Sequence, residues 1–316
     1  MHRLPTFSAI AAYRAWRAEP SRWLPAALDI ARTHKLPHAE PHPFRTGTNL
    51  VVALDDKLIL KIFPPLLRAQ FISERASLSQ LRGRLGIAVP EIVTEGEREG
   101  WPYLVITRLP GVLGSQAWPG MPERDKERVL GQIGETIAEV QRAPLGDLAL
   151  IEPRWDNFMR GQIEGCRARH TRLGLPRKFL DGLDEFLAAA TPLIPMNAPP
   201  VILVGEYIPE NFLLNQDASG WRLSGLFDFG DVLTGWGEYD LLGPSAFMTA
   251  GIASRVRSLF AGFGTSSADF GPPLKRRLMA LMLLHRASDL VGHLRIDRWQ
   301  DKAGDLFELA ELLWPV

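Results

Sequence analysis

Apolar residues recur at helical spacing through residues 6–18 and again through 20–33, with Pro20 and Ser21 where a second helix begins. From about residue 42 the period changes. NLVVAL (49–54) and KLILKIF (57–63) are short runs of leucine and β-branched residues joined by Asp55-Asp56, a pattern that predicts a hairpin. Pro64-Pro65 ends it, and residues 66–83 return to helical period. EIVTEGE (91–97) and YLVITRL (103–109) make a second strand pair turning at Glu99-Gly100.

After Pro110-Gly111 the texture is mainly helical. Amphipathic helices are predicted over 122–142, 154–172 and 176–190. PVILV (200–204), FLLN (212–215) and WRLSGLFDF (221–229) are strand-like, and 238–249, 251–263, 273–294 and 297–314 read as helices. The Pro- and Gly-rich 109–114 segment marks the boundary between a small β-rich lobe and a larger helical one.

Composition changes this picture little. The chain has 316 residues, 46% apolar and 23% charged, ordinary for a soluble globular protein with a sizeable core. Lys plus Arg and Asp plus Glu are 36 each, so there is no basic footprint of nucleic-acid binding. One cysteine, Cys166, excludes an internal disulfide and any multi-thiolate metal site, and its place in a helix among arginines reads as an inert thiol. The N-terminus does not read as a secretory signal, and no apolar run approaches the ~18 residues of a membrane span. The expectation is a soluble cytoplasmic protein with neither nucleic acid nor membrane as partner. P-loop, dinucleotide, GxSxG, HExxH and EF-hand patterns are absent. His285 and His293 lie on one predicted helix and read as core or surface histidines rather than metal ligands.

Four features in a fixed order carry the chemistry. Lys61 sits inside the apolar strand LILKIF, where an inward lysine needs an anionic partner. Glu74 lies in the next helix and is placed to supply it. GEYIPENFLL (205–214) puts Glu206 and Asn211 in a loop between strand-like runs, with Pro209 preventing a helix. LFDFGDV (226–232) ends a strand at Asp228 just before Gly230. Asn211 and Asp228 offer oxygen ligands suited to Mg²⁺, and Glu206 is an acid able to accept a proton.

With these motifs the sequence resembles the aminoglycoside phosphotransferase family, a branch of the protein-kinase-like fold, from about residue 42 to 295 and most specifically over 201–242. The resemblance implies an α+β bilobal chain. Residues 1–40 form an N-terminal helical segment, 41–109 a nucleotide-binding N-lobe, and 110–316 a C-lobe for catalysis and acceptor binding. It implies that Lys61 holds the α- and β-phosphates of ATP or GTP with Glu74 as its helix partner. RTGTNLVV (45–52) stands where the loop covering the phosphates would be, with the single glycine Gly47. VITRLPG (105–111) looks like the linker joining the lobes, so that the Thr107 carbonyl and the Leu109 amide would meet the nucleotide base. GWGEYDLLG (235–243) is similar to the family's GDPAYDLA segment, with Asp240 in a supporting role.

The catalytic loop departs from the family's H-G-D-x-x-x-x-N. It reads Val204-Gly205-Glu206-Tyr-Ile-Pro-Glu-Asn211, with valine for the histidine and glutamate for the aspartate. Two readings follow: Glu206 serves as base, or the chain is a nucleotide-binding pseudokinase or scaffold without turnover. Activity is the favoured reading, because phosphoryl transfer relies chiefly on positioning and metal electrostatics and glutamate keeps the carboxylate. A protein kinase is disfavoured by the short DVLTGWGEYD segment after the DFG. The acceptor is expected to be a small-molecule hydroxyl. RGQIEGCRARHTRLGLPRK (160–178) holds six Lys/Arg and one acid, which, if it lines the acceptor pocket, disfavours a typical polycationic aminoglycoside. Arginines facing water are an equal reading of the same segment.

Overall fold

The computed structural model describes residues 3–315. The chain separates into two compact units. One comprises the chain up to Gly83 with Ala88–Pro110 and Phe227–Val232, and the other Arg84–Ile87, Gly111–Leu226 and the chain from Leu233.

The first unit is built on a five-stranded antiparallel sheet: β1 (His42–Phe44), β2 (Leu50–Ala53), β3 (Leu58–Ile62), β4 (Ile92–Arg98) and β5 (Trp101–Thr107), in the order β1-β2-β3-β5-β4. Both predicted hairpins are present. The β2–β3 turn is closed by the Asp55 carboxylate, which accepts from the Lys57 and Leu58 amides at 2.9 and 2.7 Å. β1 is too short to have been read from the pattern. Side chains alternate across the sheet. Leu50, Val52, Leu60, Ile62, Tyr103 and Val105 share a core with helices α1 (Ile10–Arg17) and α2 (Leu24–Thr33). Phe7, Tyr13, Trp16 and Trp101 pack there as one aromatic group, with ring centroids 5.3–6.2 Å apart. Lys61, paired in register with Val51 and Leu104, therefore points to the opposite face, on the side of α3 (Arg68–Leu81).

The second unit is mainly helical. Its helices are α4 (Gly114–Ala117), α5 (Glu123–Arg142), α6 (Trp155–Arg172), α7 (Arg177–Asp181), α8 (Leu183–Ala190), α9 (Leu242–Pro244), α10 (Ala253–Phe263), α11 (Pro272–Leu284), α12 (Leu290–His293), α13 (Trp299–Lys302) and α14 (Leu306–Leu313). Two small antiparallel sheets accompany them. β6 (Val112–Leu113), β8 (Phe212–Asp217) and β9 (Gly220–Leu226) form one, and β7 (Val201–Leu203) and β10 (Leu233–Gly235) the other. No helix of the described residues is long and apolar enough to cross a membrane.

Several long predicted helices are interrupted. The 176–190 stretch breaks at Gly182, and 297–314 breaks at Gly304, after which Asp305 caps α14 by accepting from the Glu308 amide at 2.8 Å. The 238–249 stretch is a succession of 3₁₀, α and π turns rather than one helix. The 273–294 stretch ends at Leu284, with a cause and a consequence described below.

α5 and α10 cross at glycines. A β-carbon on Gly262 would stand 2.0 Å from the Gly131 carbonyl oxygen, and one on Gly134 would stand 2.2 Å from that of Leu259. Gly262→Ala should therefore force the helices apart and destabilise by about 1–3 kcal/mol. Gly161→Ala, at an open site on α6, should stabilise by roughly 0.4–1 kcal/mol. Denaturant unfolding of the two variants checks this contrast.

Candidate active site

An ammonium group removed from water must find anions. Lys61 is only 6% exposed, and two carboxylates meet its Nζ. Glu74 of α3, itself buried, accepts a short hydrogen bond, and Asp228 Oδ1 accepts one at 2.8 Å. Burial alone would strip the charge from Lys61, but Asp228 and Glu74 outweigh it and raise its pKa. The Lys61 charge in turn holds the Asp228 carboxyl below the usual carboxylate range, helped by the Gly230 amide and against partial burial. Glu74 is enclosed more completely, and burial lifts its carboxyl to about 7 in spite of Lys61. The three residues form an asymmetric cluster. Glu74 fixes the lysine from within, while the Asp228 side chain keeps 40% of its surface exposed and available.

Asp228 sits at φ 71°, a left-handed conformation that aspartate tolerates better than most residues. It turns the chain sharply out of β9, and the next side chain, Phe229, is fully buried and anchors the turn. A second polar connection runs beside the first. The Asn49 amide nitrogen donates to Gln70 Oε1 at 3.0 Å, and Gln70 Nε2 donates to Asp231 Oδ2 at 3.2 Å. Gly47 lies in the β1–β2 connection at φ +86°. Thr107 closes β5, with its amide and hydroxyl bonded to the Glu91 backbone, and Leu109 follows in the irregular segment before Pro110.

Glu206 and Asn211 belong to the loop after β7 in the second unit. Asn211 ends a 3₁₀ turn begun by Pro209 and is 6% exposed. Its Nδ2 donates to the Glu206 carbonyl at 3.1 Å, which commits the nitrogen and leaves Oδ1 as the acceptor of that amide. The loop is held from behind at Val204-Gly205. The Asp240 carboxylate accepts from the amides of Val204 at 3.1 Å and Gly205 at 2.8 Å. Burial lifts the Asp240 carboxyl to about 7, and the two amides offset part of that rise. The Gly205 carbonyl is held by His285, whose Nε2 lies 3.1 Å away. The Ala287 amide donates to His285 Nδ1 at 3.2 Å, so the neutral ring carries its proton on Nε2. The ring stacks on Tyr239 at 4.4 Å. Val204 is a buried apolar residue, and the Tyr207 hydroxyl is buried without a partner among the described residues. Asp240 and His285 thus do the fastening.

His285 reaches the loop because α11 stops one residue earlier. The Leu283 carbonyl, which a continuing helix would use, accepts from Arg169 Nη2 at 2.8 Å and His170 Nε2 at 3.0 Å, with Cys166 Sγ 3.7 Å away, all from α6. His285 then leaves in extended geometry. The basic 160–178 segment is largely explained by such contacts. Lys178 donates to the carbonyls of Gln300 and Ala303 at 2.6 Å, and Arg167 pairs with Asp184 at the surface. These cations serve the fold and carry no information about an acceptor. Reasoning from sequence missed His285, Asn49 and Gln70, since no local spacing marks a side chain whose partners lie in distant elements.

A family model described as "Phosphotransferase enzyme family" matches residues 41–272. The aminoglycoside 3'-phosphotransferase of Streptomyces ribosidificus is 30% identical over 156 residues, which cover 46% of this chain and 54% of that enzyme. The chain thus spans little more than half of that relative. The enzyme of the same name from Streptomyces fradiae is 26% identical over 220 residues, covering 64% and 78% respectively. Among solved structures, the GDP complex of wild-type aminoglycoside 2'-phosphotransferase-IIIa aligns with a TM-score of 0.69 at 19% identity, over 92% of this chain and 96% of that one. A macrolide 2'-phosphotransferase from Brachybacterium faecium aligns at 0.57 and 17% identity, over 82% and 90%. These likenesses establish the α+β kinase-like fold, with a β-sheet unit and a helical unit.

Burial pushes His285 down to about 3, and this gives a pH test. Below pH 6.5 the unfolded chain takes up a proton that the folded ring refuses, so this group's contribution to stability falls as pH drops from about 6.5 toward 3. His285→Gln keeps a donor for the Gly205 carbonyl but does not titrate. The stability advantage of the wild type over this variant should shrink by up to about 1.4 kcal/mol per pH unit between pH 6 and 4. Urea unfolding at several pH values measures it.

Proposed function

Because this chain belongs to the phosphotransferase enzyme family, we propose that it transfers the terminal phosphoryl group of ATP or GTP to a hydroxyl of a small molecule. The observation that carries this reading is the buried Lys61 held by Glu74 of α3 and by the DFG aspartate Asp228, the ion-pair pattern that positions nucleotide phosphates in kinases. In this reading Lys61 binds the phosphates, the turn at Gly47 covers them, and the Thr107 carbonyl and Leu109 amide meet the base. Asn211 and Asp228 are the proposed Mg²⁺ ligands. The donor set fits: Asp228 is held ionised and partly exposed, and Asn211 keeps Oδ1 as its acceptor. Few protein oxygens suffice for an ion that keeps several of its own waters, and when bound it neutralises phosphate charge. Glu206 is the proposed general base, on a loop whose backbone is fixed by Asp240 and His285.

A cavity of about 320 Å³ lies beside this loop in the helical unit, lined by Trp118, Pro209, Glu210, Phe247, Arg255 and Arg295 among others. Arg255 is neutralised by a bidentate pair with Glu123, at 2.6 Å for its longer bond. The lining has aromatic walls and no net negative charge, which suits a neutral or anionic acceptor better than a polycationic aminoglycoside. Substitution of glutamate for aspartate at position 206 also sustains the second reading, a nucleotide-binding pseudokinase, and the same experiments separate the two.

Mg-ATP or Mg-GTP should raise the melting temperature, and Asp228→Ala should abolish the metal-dependent part of the shift without unfolding the protein. No shift with either nucleotide at millimolar concentration overturns the reading. Against a panel of hydroxylated compounds, Glu206→Gln should keep nucleotide affinity and lose turnover by roughly 10²-fold or more, with Glu206→Asp retaining part of it. A Gln variant with wild-type turnover removes Glu206 from the mechanism. Nucleotide binding with no turnover on any acceptor favours the pseudokinase, and robust turnover of kanamycin-class compounds refutes the acceptor assignment.

A further inference from the structure

The turn between β1 and β2 is gripped by side chains of α1. The Arg17 guanidinium, 8% exposed, donates through Nε to the Asn49 carbonyl at 2.8 Å, through Nη1 to that of Arg45 at 2.9 Å, and through Nη2 to that of Thr46. The Tyr13 hydroxyl donates to the Thr48 carbonyl at 2.9 Å. Peptides are planar, with N–H and C=O pointing in opposite directions. Carbonyls drawn to α1 therefore turn the amides of Thr46, Gly47, Asn49 and Leu50 away from it. Among the described residues, the amides of Thr46, Gly47 and Asn49 have no backbone acceptor. Gly47, at φ +86°, supplies the left-handed step that lets neighbouring amides converge. Successive N–H groups turned to one side make an anion-binding concavity.

The grip extends further. Asn49 is 4% exposed, and its Oδ1 has no partner among the described residues. An unpaired buried oxygen destabilises by itself, so fold stability alone does not account for this side chain. Its nitrogen passes the connection to Gln70 on α3, and Gln70 passes it to Asp231, three residues beyond Asp228. Two polar lines thus run from the sheet through α3 to the Phe227–Val232 segment: Lys61 with Glu74 and Asp228, and Asn49 with Gln70 and Asp231.

We propose that Arg17 and Tyr13 are positioning residues for the nucleotide phosphates. By occupying the carbonyl side of the 45–49 turn they present its amides as a preformed phosphate cradle, and through Asn49 and Gln70 they set that cradle in register with Asp228. The inference rests on the nucleotide reading above. Arg17 touches no phosphate and acts only through the backbone it holds.

The test compares a triphosphate with its nucleoside. Wild-type protein is titrated calorimetrically with Mg-ATP and Mg-GTP, and with adenosine and guanosine. If neither triphosphate binds, the nucleotide reading itself fails, and this is known before any variant is made. If one binds, Arg17→Gln should weaken it by about tenfold, the equivalent of one charge-assisted hydrogen-bond network, and leave the nucleoside's affinity unchanged. With the triphosphate bound, hydrogen exchange at the 46–50 amides should be quicker in the variant than in the wild type, while β3 and β5 stay protected. Tyr13→Phe keeps the aromatic packing and removes one bond, so it should shift the triphosphate affinity in the same direction by less. It keeps the proposal falsifiable if Arg17→Gln fails to fold. Folded variants with wild-type triphosphate affinity overturn the proposal, as does an equal loss for triphosphate and nucleoside, which would mark a purely structural role.

Discussion

A lysine ammonium enclosed by a sheet and a helix is the constraint on which the first unit depends. Lys61 cannot remain charged there without anions, and the anions come from elements distant in sequence: Glu74 on α3 and Asp228 after β9. The hydrophobic face of the sheet could be satisfied by many arrangements of helices. Its polar face admits few, because each misplacement leaves an unpaired charge that costs several kcal/mol. Burying this cluster is therefore poor evidence of stability and good evidence of specification. It decides where α3 sits on the sheet and draws the Phe227–Val232 segment into the same unit.

The loop carrying Glu206 and Asn211 follows a different logic. Its backbone is fastened by side chains from elsewhere in the second unit. Asp240 holds two amides, His285 holds one carbonyl, and Tyr239 backs the imidazole. Family members carry a histidine within the loop itself. Here Val204 occupies that position as an apolar core residue, and an imidazole arrives instead from the end of α11. The loop backbone is held by Asp240 and His285, so valine at the motif position does not leave it unsupported.

The features legible in the sequence were those set by local pattern. The short leucine and β-branched runs NLVVAL and KLILKIF, joined by Asp55-Asp56, marked the hairpin, and the apolar context of Lys61 demanded the partner that Glu74 provides. The end of a strand near Asp228 was readable from Gly230 close behind it, although the strand stops at Leu226. His285 was not readable. Its stretch has unbroken helical period, and the break comes from donors on α6 that satisfy the Leu283 carbonyl from more than a hundred residues away. Arg17 and Lys178 were invisible for the same reason: a cation bonded to carbonyls looks, in sequence, like one facing water. β1, β6 and β10, each two or three residues long, offer no period to detect.

The contact between α6 and α11 also makes the molecule its own reporter. Cys166 is the sole thiol in the chain, it is 1% exposed, and burial pushes its pKa to about 11. A thiol reagent can reach it only when α6 swings away from Leu283, and that same excursion frees the carbonyl whose capture ends α11. The rate of labelling therefore counts excursions of the strut behind the Glu206–Asn211 loop, without an introduced dye or a second cysteine to confuse the signal. Slow reaction under exchange conditions reads out a local opening free energy. A ligand that quiets the loop would register as a slower chemical clock at a residue it never touches.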